Sequence, residues 1–324
     1  MITLTKCMLI SSCLFFSISK NSFKNNFIEF KNKINYTYPQ GMESTIIDSH
    51  AGIWYPKDPS VLSEMISKAF NDAKQSNTSG FLKGIIVPHA GYRYSLKTAA
   101  WAYININPQL YKRVIIMGPS HHEYFQDFGI SKMSHFNTPF GSFSIDVENE
   151  CKGFKELDKK QDENEHSIEM QVPLLKYIFK DKNISLIPIM VGMIETANMD
   201  KYGFFLKKWI LDRETLFVIS SDFCHWGKRF DYYPHDEGKI YEFIDKLDKE
   251  GMNAISSLNY KKFDEYLSKT KNTICGRNGI SIFMRAIEGE KIKIEFVKYD
   301  RSNNVENVQD SSVSYASGLA FLTD

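Results

Sequence analysis

Short, continuous apolar runs recurring between helical patterns constrain this chain more than any other feature. Gly84-Ile85-Ile86-Val87, Val114-Ile115-Ile116-Met117, Ile184 to Val191 and Leu216 to Ile219 are strand-length runs without polar alternation. A strand that is apolar on both sides needs cover on both faces, the condition of a parallel or mixed sheet between layers of helices. Leu96 to Ile104, Tyr241 to Leu247 and Ile280 to Ile287 read as helices, and Ile292 to Val297 and Ser314 to Leu322 as further strands. Ile168, Val172, Leu175 and Phe179 recur at i, i+4, i+7 and i+11, the stripe of an amphipathic helix. Pro173 within that stripe marks a kink or a first turn. No repeat, linker or shift of composition follows residue 42, so residues 42–324 are expected to form one α/β domain.

Residues 1–41 differ from the rest, with five lysines, one glutamate and five asparagines. Lys6 followed by the apolar stretch Met8 to Ile18 resembles the start of a secretory signal, but the stretch is too short for a membrane span. The expectation for 1–41 is an extension: a targeting or disordered segment, or a start placed upstream of Met42. No other segment is long and apolar enough to cross a bilayer, so no transmembrane span is expected. Forty basic residues against thirty-nine acidic ones argue against a nucleic-acid partner. Cys7, Cys13, Cys151, Cys224 and Cys275 are too scattered for a disulfide framework, and reduced thiols in a cytoplasmic protein are the simplest reading.

The chemistry concentrates in the histidines. His89 follows the run Ile85-Ile86-Val87, His121 and His122 follow Val114 to Met117, and His225 follows Leu216 to Ile219. One such histidine reads as a hydrogen-bonded structural residue; three in the same topological position point to one pocket at the carboxyl ends of the strands. Cys275 stands before Gly276 at the expected start of the Ile280 helix, where a helix N-terminus favours the thiolate a metal needs. Cys224, between Phe223 and His225, reads as an inert buried thiol. Glu165, His166 and Glu169 either cap a helix or face the pocket. Asp222, three residues before His225, reads as the carboxylate that orients it or as an acid–base partner. Signatures of zinc proteases, serine hydrolases and nucleotide-binding loops are absent from the sequence.

Seven ordered runs resemble the Memo family. They are His50-Ala51-Gly52-Ile53-Trp54-Tyr55, Pro88-His89-Ala90-Gly91-Tyr92, Gly118-Pro119-Ser120-His121-His122 and Glu165-His166-Ser167-Ile168-Glu169-Met170, then Ser220-Ser221-Asp222-Phe223-Cys224-His225-Trp226-Gly227, Thr273-Ile274-Cys275-Gly276-Arg277 and Asp310-Ser311-Ser312-Val313-Ser314-Tyr315. The resemblance runs from about Ser49 to the C-terminus. It implies a single three-layer α/β/α domain with a central mixed sheet, similar to the class III extradiol dioxygenases that use non-heme iron. It also implies His89, His121 and Cys275 as metal ligands, with Asp222 and His225 as pocket neighbours and His225 in the acid–base position. The family is linked to iron or copper, to redox regulation and, in animals, to phosphotyrosine-receptor signalling and motility. The dioxygenases use two histidines and a carboxylate. Cys275 in place of that carboxylate makes ring cleavage doubtful while leaving metal binding.

Three readings follow. The first is a protein that binds iron or copper through two histidines and a cysteine, acting in metal or redox homeostasis or in a metal-dependent oxidation. The second is an interaction scaffold for signalling or motility with a vestigial pocket, contacting a protein partner through Arg93, Tyr92, Tyr94 and Trp226. The third makes Cys275 a nucleophile activated by His225, without metal.

Overall fold

The computed structural model describes residues 44–147, 151 and 153–323. The signal-like stretch and the rest of 1–41 lie outside the described residues. The strands are β1 (Thr45–Ile46), β2 (Phe81–Val87), β3 (Arg113–Pro119), β4 (Phe128–Ser131), β5 (His135–Phe136) and β6 (Phe143–Ile145), followed by β7 (Lys155–Leu157), β8 (Ser185–Val191), β9 (Thr215–Ser220), β10 (His225–Trp226), β11 (Ile292–Arg301) and β12 (Ser312–Leu322). The helices used below are α1 (Pro59–Asp72), α2 (Tyr92–Tyr103), α3 (Lys159–Asn164), α4 (His166–Glu169), α5 (Val172–Phe179), α6 (Met199–Leu211), α7 (Ile240–Ser256), α8 (Tyr260–Thr270) and α9 (Arg277–Ala286).

One mixed sheet runs in the order β1-β5-β6-β8-β3-β9-β2-β12-β10, with β11 on β12 and β4 on β8. Its centre, β8-β3-β9-β2, is parallel, and β12 closes antiparallel on β2. Alternation along the central strands explains why their sequences are apolar throughout. Val114 and Ile116 face a core shared with α1, α2 and α5. Ile115 and Met117, one residue out of step, face the other core with α6, α7 and α9. Both faces are buried, so neither parity of position can be polar. The expected three-layer α/β/α architecture with a central mixed sheet is what forms.

Lys83 is the exception within β2. It is fully buried, and its ammonium donates to the carbonyls of Asp212 and Thr215 at the amino ends of the strands. Burial pulls its pKa down to about 8 against the opposing pull of Asp212.

The Ile168–Phe179 stripe is not one helix. It breaks between α4 and α5, and Pro173 lies in the first turn of α5, where its missing N–H costs nothing. Among the described residues, no helix is long and apolar enough to cross a membrane.

Candidate metal centre

β9 lies between β2 and β3, so the loops leaving these three strands meet at one end of the sheet. His89, two residues beyond β2, is buried, and the N–H groups of His89 and Ala90 donate to Asp222 Oδ1 at 2.8 and 3.3 Å. Asp222, just past β9, thereby ties the two loops together. His121, two residues beyond β3, is held twice by the buried carboxylate of Glu165. Its backbone N–H donates to Oε2 at 2.6 Å and its Nδ1 lies 2.8 Å from Oε1. The same Glu165 caps α4 by accepting the Ser167 N–H at 2.8 Å. Cys275 sits in the turn before α9 with its Sγ 3.1 Å from His89 Nε2, and it accepts the Asp222 N–H at 3.2 Å. Gly276 makes this approach possible, because a Cβ there would collide with Ser221.

One ligand atom from each of His89, His121 and Cys275 lies within 4.8 Å of the other two. The electrostatics differ at each. Burial holds His89 well below the usual imidazole range and therefore neutral. Burial also draws His121 down, but the Glu165 carboxylate outweighs it and holds the ring well above its ordinary value. Glu165, which burial would raise, is held low by His121. Burial pushes the Cys275 thiol up, with His121 pulling the other way. The expected acidification of Cys275 by the α9 N-terminus does not dominate, because desolvation of a thiolate is the larger effect. A cation would reverse that balance, since a coordinating thiol is deprotonated outright.

The donor set fits a soft or borderline metal ion. The carboxylate of Glu165 accepts a hydrogen bond from Nδ1–H of His121, which leaves Nε2 as the atom facing the other two donors, the usual arrangement behind a metal-binding histidine. Two imidazole nitrogens and a sulfur suit iron, copper or zinc rather than magnesium or calcium.

Other expected site residues are placed differently. Asp222 does not orient His225: its Oδ1 is engaged by His89 and Ala90, and burial raises its pKa to about 7. His225 takes its orientation from the Phe223 carbonyl, 3.0 Å from Nδ1, and from Thr273, whose hydroxyl accepts the His225 N–H at 2.7 Å. Burial, then the nearby charge of His121, lowers its pKa to about 4. The imidazoles beside Cys275 are those of His89 and His121. The nucleophile reading therefore loses the His225 contact it was built on. Tyr92 and Trp226 cannot contact a partner, because both are buried, with Tyr92 donating to the Met170 carbonyl and Trp226 to the Pro234 carbonyl. Arg93 is exposed and stacks over the ring of Tyr94. Cys224 is fully buried, and burial pushes its thiol up.

The structure also gathers His50, Trp54 and Tyr55, to which no role was assigned from the sequence, around His166 and Glu169. His166 stacks on His121 with ring centroids 4.5 Å apart and packs against Trp54 at the same distance. His50 pairs through Nδ1 with Glu169 at 2.6 Å, and Tyr55 donates to the same carboxylate at 2.7 Å. Glu169 is buried, so of the two readings of the acidic cluster, Glu165 combines both and Glu169 faces inward.

Comparison with known proteins shows the family of the chain. The pattern described as "Memo-like protein" matches residues 47–319. The chain is similar to the memo-1 homolog of Caenorhabditis elegans, 39% identical over 294 residues that cover 86% of this chain and 83% of that protein. It is 37% identical to Protein MEMO1 of Xenopus laevis and 35% identical to that of Homo sapiens, each over 83% of this chain and 95% of the relative. On a match of this extent, the chain belongs to the Memo-like protein family.

Proposed function

We propose that this protein holds a redox-active ion, iron or copper, between His89, His121 and Cys275, and serves in metal or redox homeostasis or in a metal-dependent oxidation. The observation that carries the reading is the convergence of three donor atoms from three separate loops to within 4.8 Å of one another. When bound, the ion supplies electron transfer or Lewis acidity.

The chain's own residues prepare that position. Glu165 fixes the ring plane of His121 by accepting a hydrogen bond from its Nδ1–H. Asp222 locks the His89 loop against the exit of β9. His225, with Nδ1 on a carbonyl, keeps Nε2 for orienting or deprotonating a group bound beside it. Cys275 is half-buried among these loops, and its sulfur is itself oxidisable.

The test is elemental analysis of the full chain, purified anaerobically without a metal-binding tag, beside Cys275→Ala. One iron or copper per chain, lost in the variant, is the expected result. Absence of metal from both proteins, even after Fe(II) or Cu(I) is supplied, contradicts the proposal.

A further inference from the structure

We infer that Ser220, itself fixed by Gln171 and Tyr103, selects the tautomer of His89 that carries its proton on Nδ1 and presents a bare Nε2 to Cys275. Only the consequence for metal affinity rests on the function proposed above; the tautomer is a property of the protein alone.

Ser220 is the last residue of β9, paired with Val87 of β2, and is fully buried. Its Oγ has three polar neighbours. The Ser167 carbonyl is 2.7 Å away, Gln171 Nε2 is 2.9 Å away, and His89 Nδ1 is 2.8 Å away. A hydroxyl has one proton and two lone pairs to share among them. The carbonyl of Ser167 only accepts, so it takes the proton. The amide nitrogen of Gln171 only donates, so it takes one lone pair.

The amide orientation is itself fixed. Nε2 also faces the Pro88 carbonyl at 3.0 Å, and turning the amide over would set two carbonyl oxygens against each other. Oε1 meanwhile accepts the Tyr103 hydroxyl at 2.8 Å. Gln171 and Tyr103 are both fully buried, so solvent does not compete for these groups. One lone pair of Ser220 remains, and His89 Nδ1 must fill it as a donor. The reverse arrangement, with Ser220 donating to a bare Nδ1, strips the Ser167 carbonyl of the donor it has.

With the proton on Nδ1, a neutral imidazole has its lone pair on Nε2, the atom 3.1 Å from Cys275 Sγ. Free histidine in water favours the opposite tautomer. His225 reaches the same state with another acceptor, the Phe223 carbonyl. Ser220 is the less obvious of the two, because a hydroxyl can donate as well as accept. Only the other two partners remove that choice. Ser220 and Gln171 are therefore positioning residues for the site, three side chains deep into α2.

Long-range ¹⁵N–¹H NMR of the metal-free full chain at neutral pH reads the tautomer directly, with His89 assigned by its loss in His89→Gln. The expected pattern is Nδ1–H in the wild type. In Ser220→Ala the pattern moves toward Nε2–H and affinity for added Cu(I) or Fe(II) falls roughly 10- to 100-fold. Ser220→Thr, which keeps the hydroxyl, retains the wild-type pattern. An Nε2–H pattern in the wild type, or an unchanged Nδ1–H pattern in Ser220→Ala, overturns the inference. The wild-type spectrum decides the matter even if the variant does not fold. A wild type with Nδ1–H that binds no metal supports the tautomer assignment while removing the proposed function.

Discussion

Glu165 shows how much one side chain can fix. Its carboxylate accepts the backbone N–H and the Nδ1 proton of His121 and the N–H of Ser167, so it caps α4 and orients an imidazole together. Glu165→Gln would turn an amide N–H toward one of these donors. It is expected to weaken metal binding roughly 10- to 100-fold and to cost about 1–3 kcal/mol of stability. Competition against a chelator and denaturant unfolding measure the two effects, and an unchanged affinity would count against the role given to Glu165. The capping half of this role is legible in the sequence, because an acidic residue before a helix is a local signal. The His121 half is not, because the pairing spans 44 residues. His89, His121 and His225 were legible because a buried strand and the residue type after it are both local. His50 follows the two-residue β1, too short to read as a strand, so the same reasoning could not reach it. Asp222 turns back after β9 to hold the His89 loop, a contact 133 residues apart in sequence that its nearness to His225 does not disclose.

At the scale of elements, the central strands and α2, α7 and α9 could be read because burial on both faces or along one stripe leaves a periodic record. The two- to four-residue strands β1, β4, β5, β6, β7 and β10 leave no period to read. α6 was missed although Met199, Tyr202, Leu206, Trp209 and Ile210 form a buried stripe. Gly203 inside it and the exposed Phe204 and Leu211 blur the pattern. The interruption between α4 and α5 has a use that the apolar stripe does not reveal. Gln171 stands at the N-cap of α5 and turns its side chain inward to Ser220. In α9, Gly279 has no strained backbone angle, and a Cβ there would meet Ile219 Cγ2 at 3.7 Å and Met117 Cβ and Val191 Cγ2 at 3.9 Å. These are ordinary contacts in a helix. Gly279→Ala is expected to stabilise the protein by about 0.5–1 kcal/mol, read as a rise in the urea midpoint. A fall would mean that α9 needs the freedom of glycine beside Cys275.

The whole molecule places the chemistry by strand order. β2 and β3 are separated in the sheet by β9, which comes later in the chain, so loops distant in sequence open at the same edge. Ligand sites of open α/β sheets lie at such carboxyl ends. α9 brings Cys275 to the same place by packing against the face of β3 and β9 opposite to α2. The alternation of apolar strands and helices disclosed the layers, but strand order is a long-range property. The histidine pocket was read from the strand exits and Cys275 from its place before a helix, while the assignment of His89, His121 and Cys275 as one ligand set came from the family resemblance. X-ray absorption at the edge of iron or copper, on the metal-loaded full chain, tests the central claim most directly. A sulfur scatterer beside nitrogen scatterers is expected, with the sulfur lost in Cys275→Ala. A shell of nitrogen and oxygen alone in the wild type, or a sulfur that persists in Cys275→Ala, would contradict it.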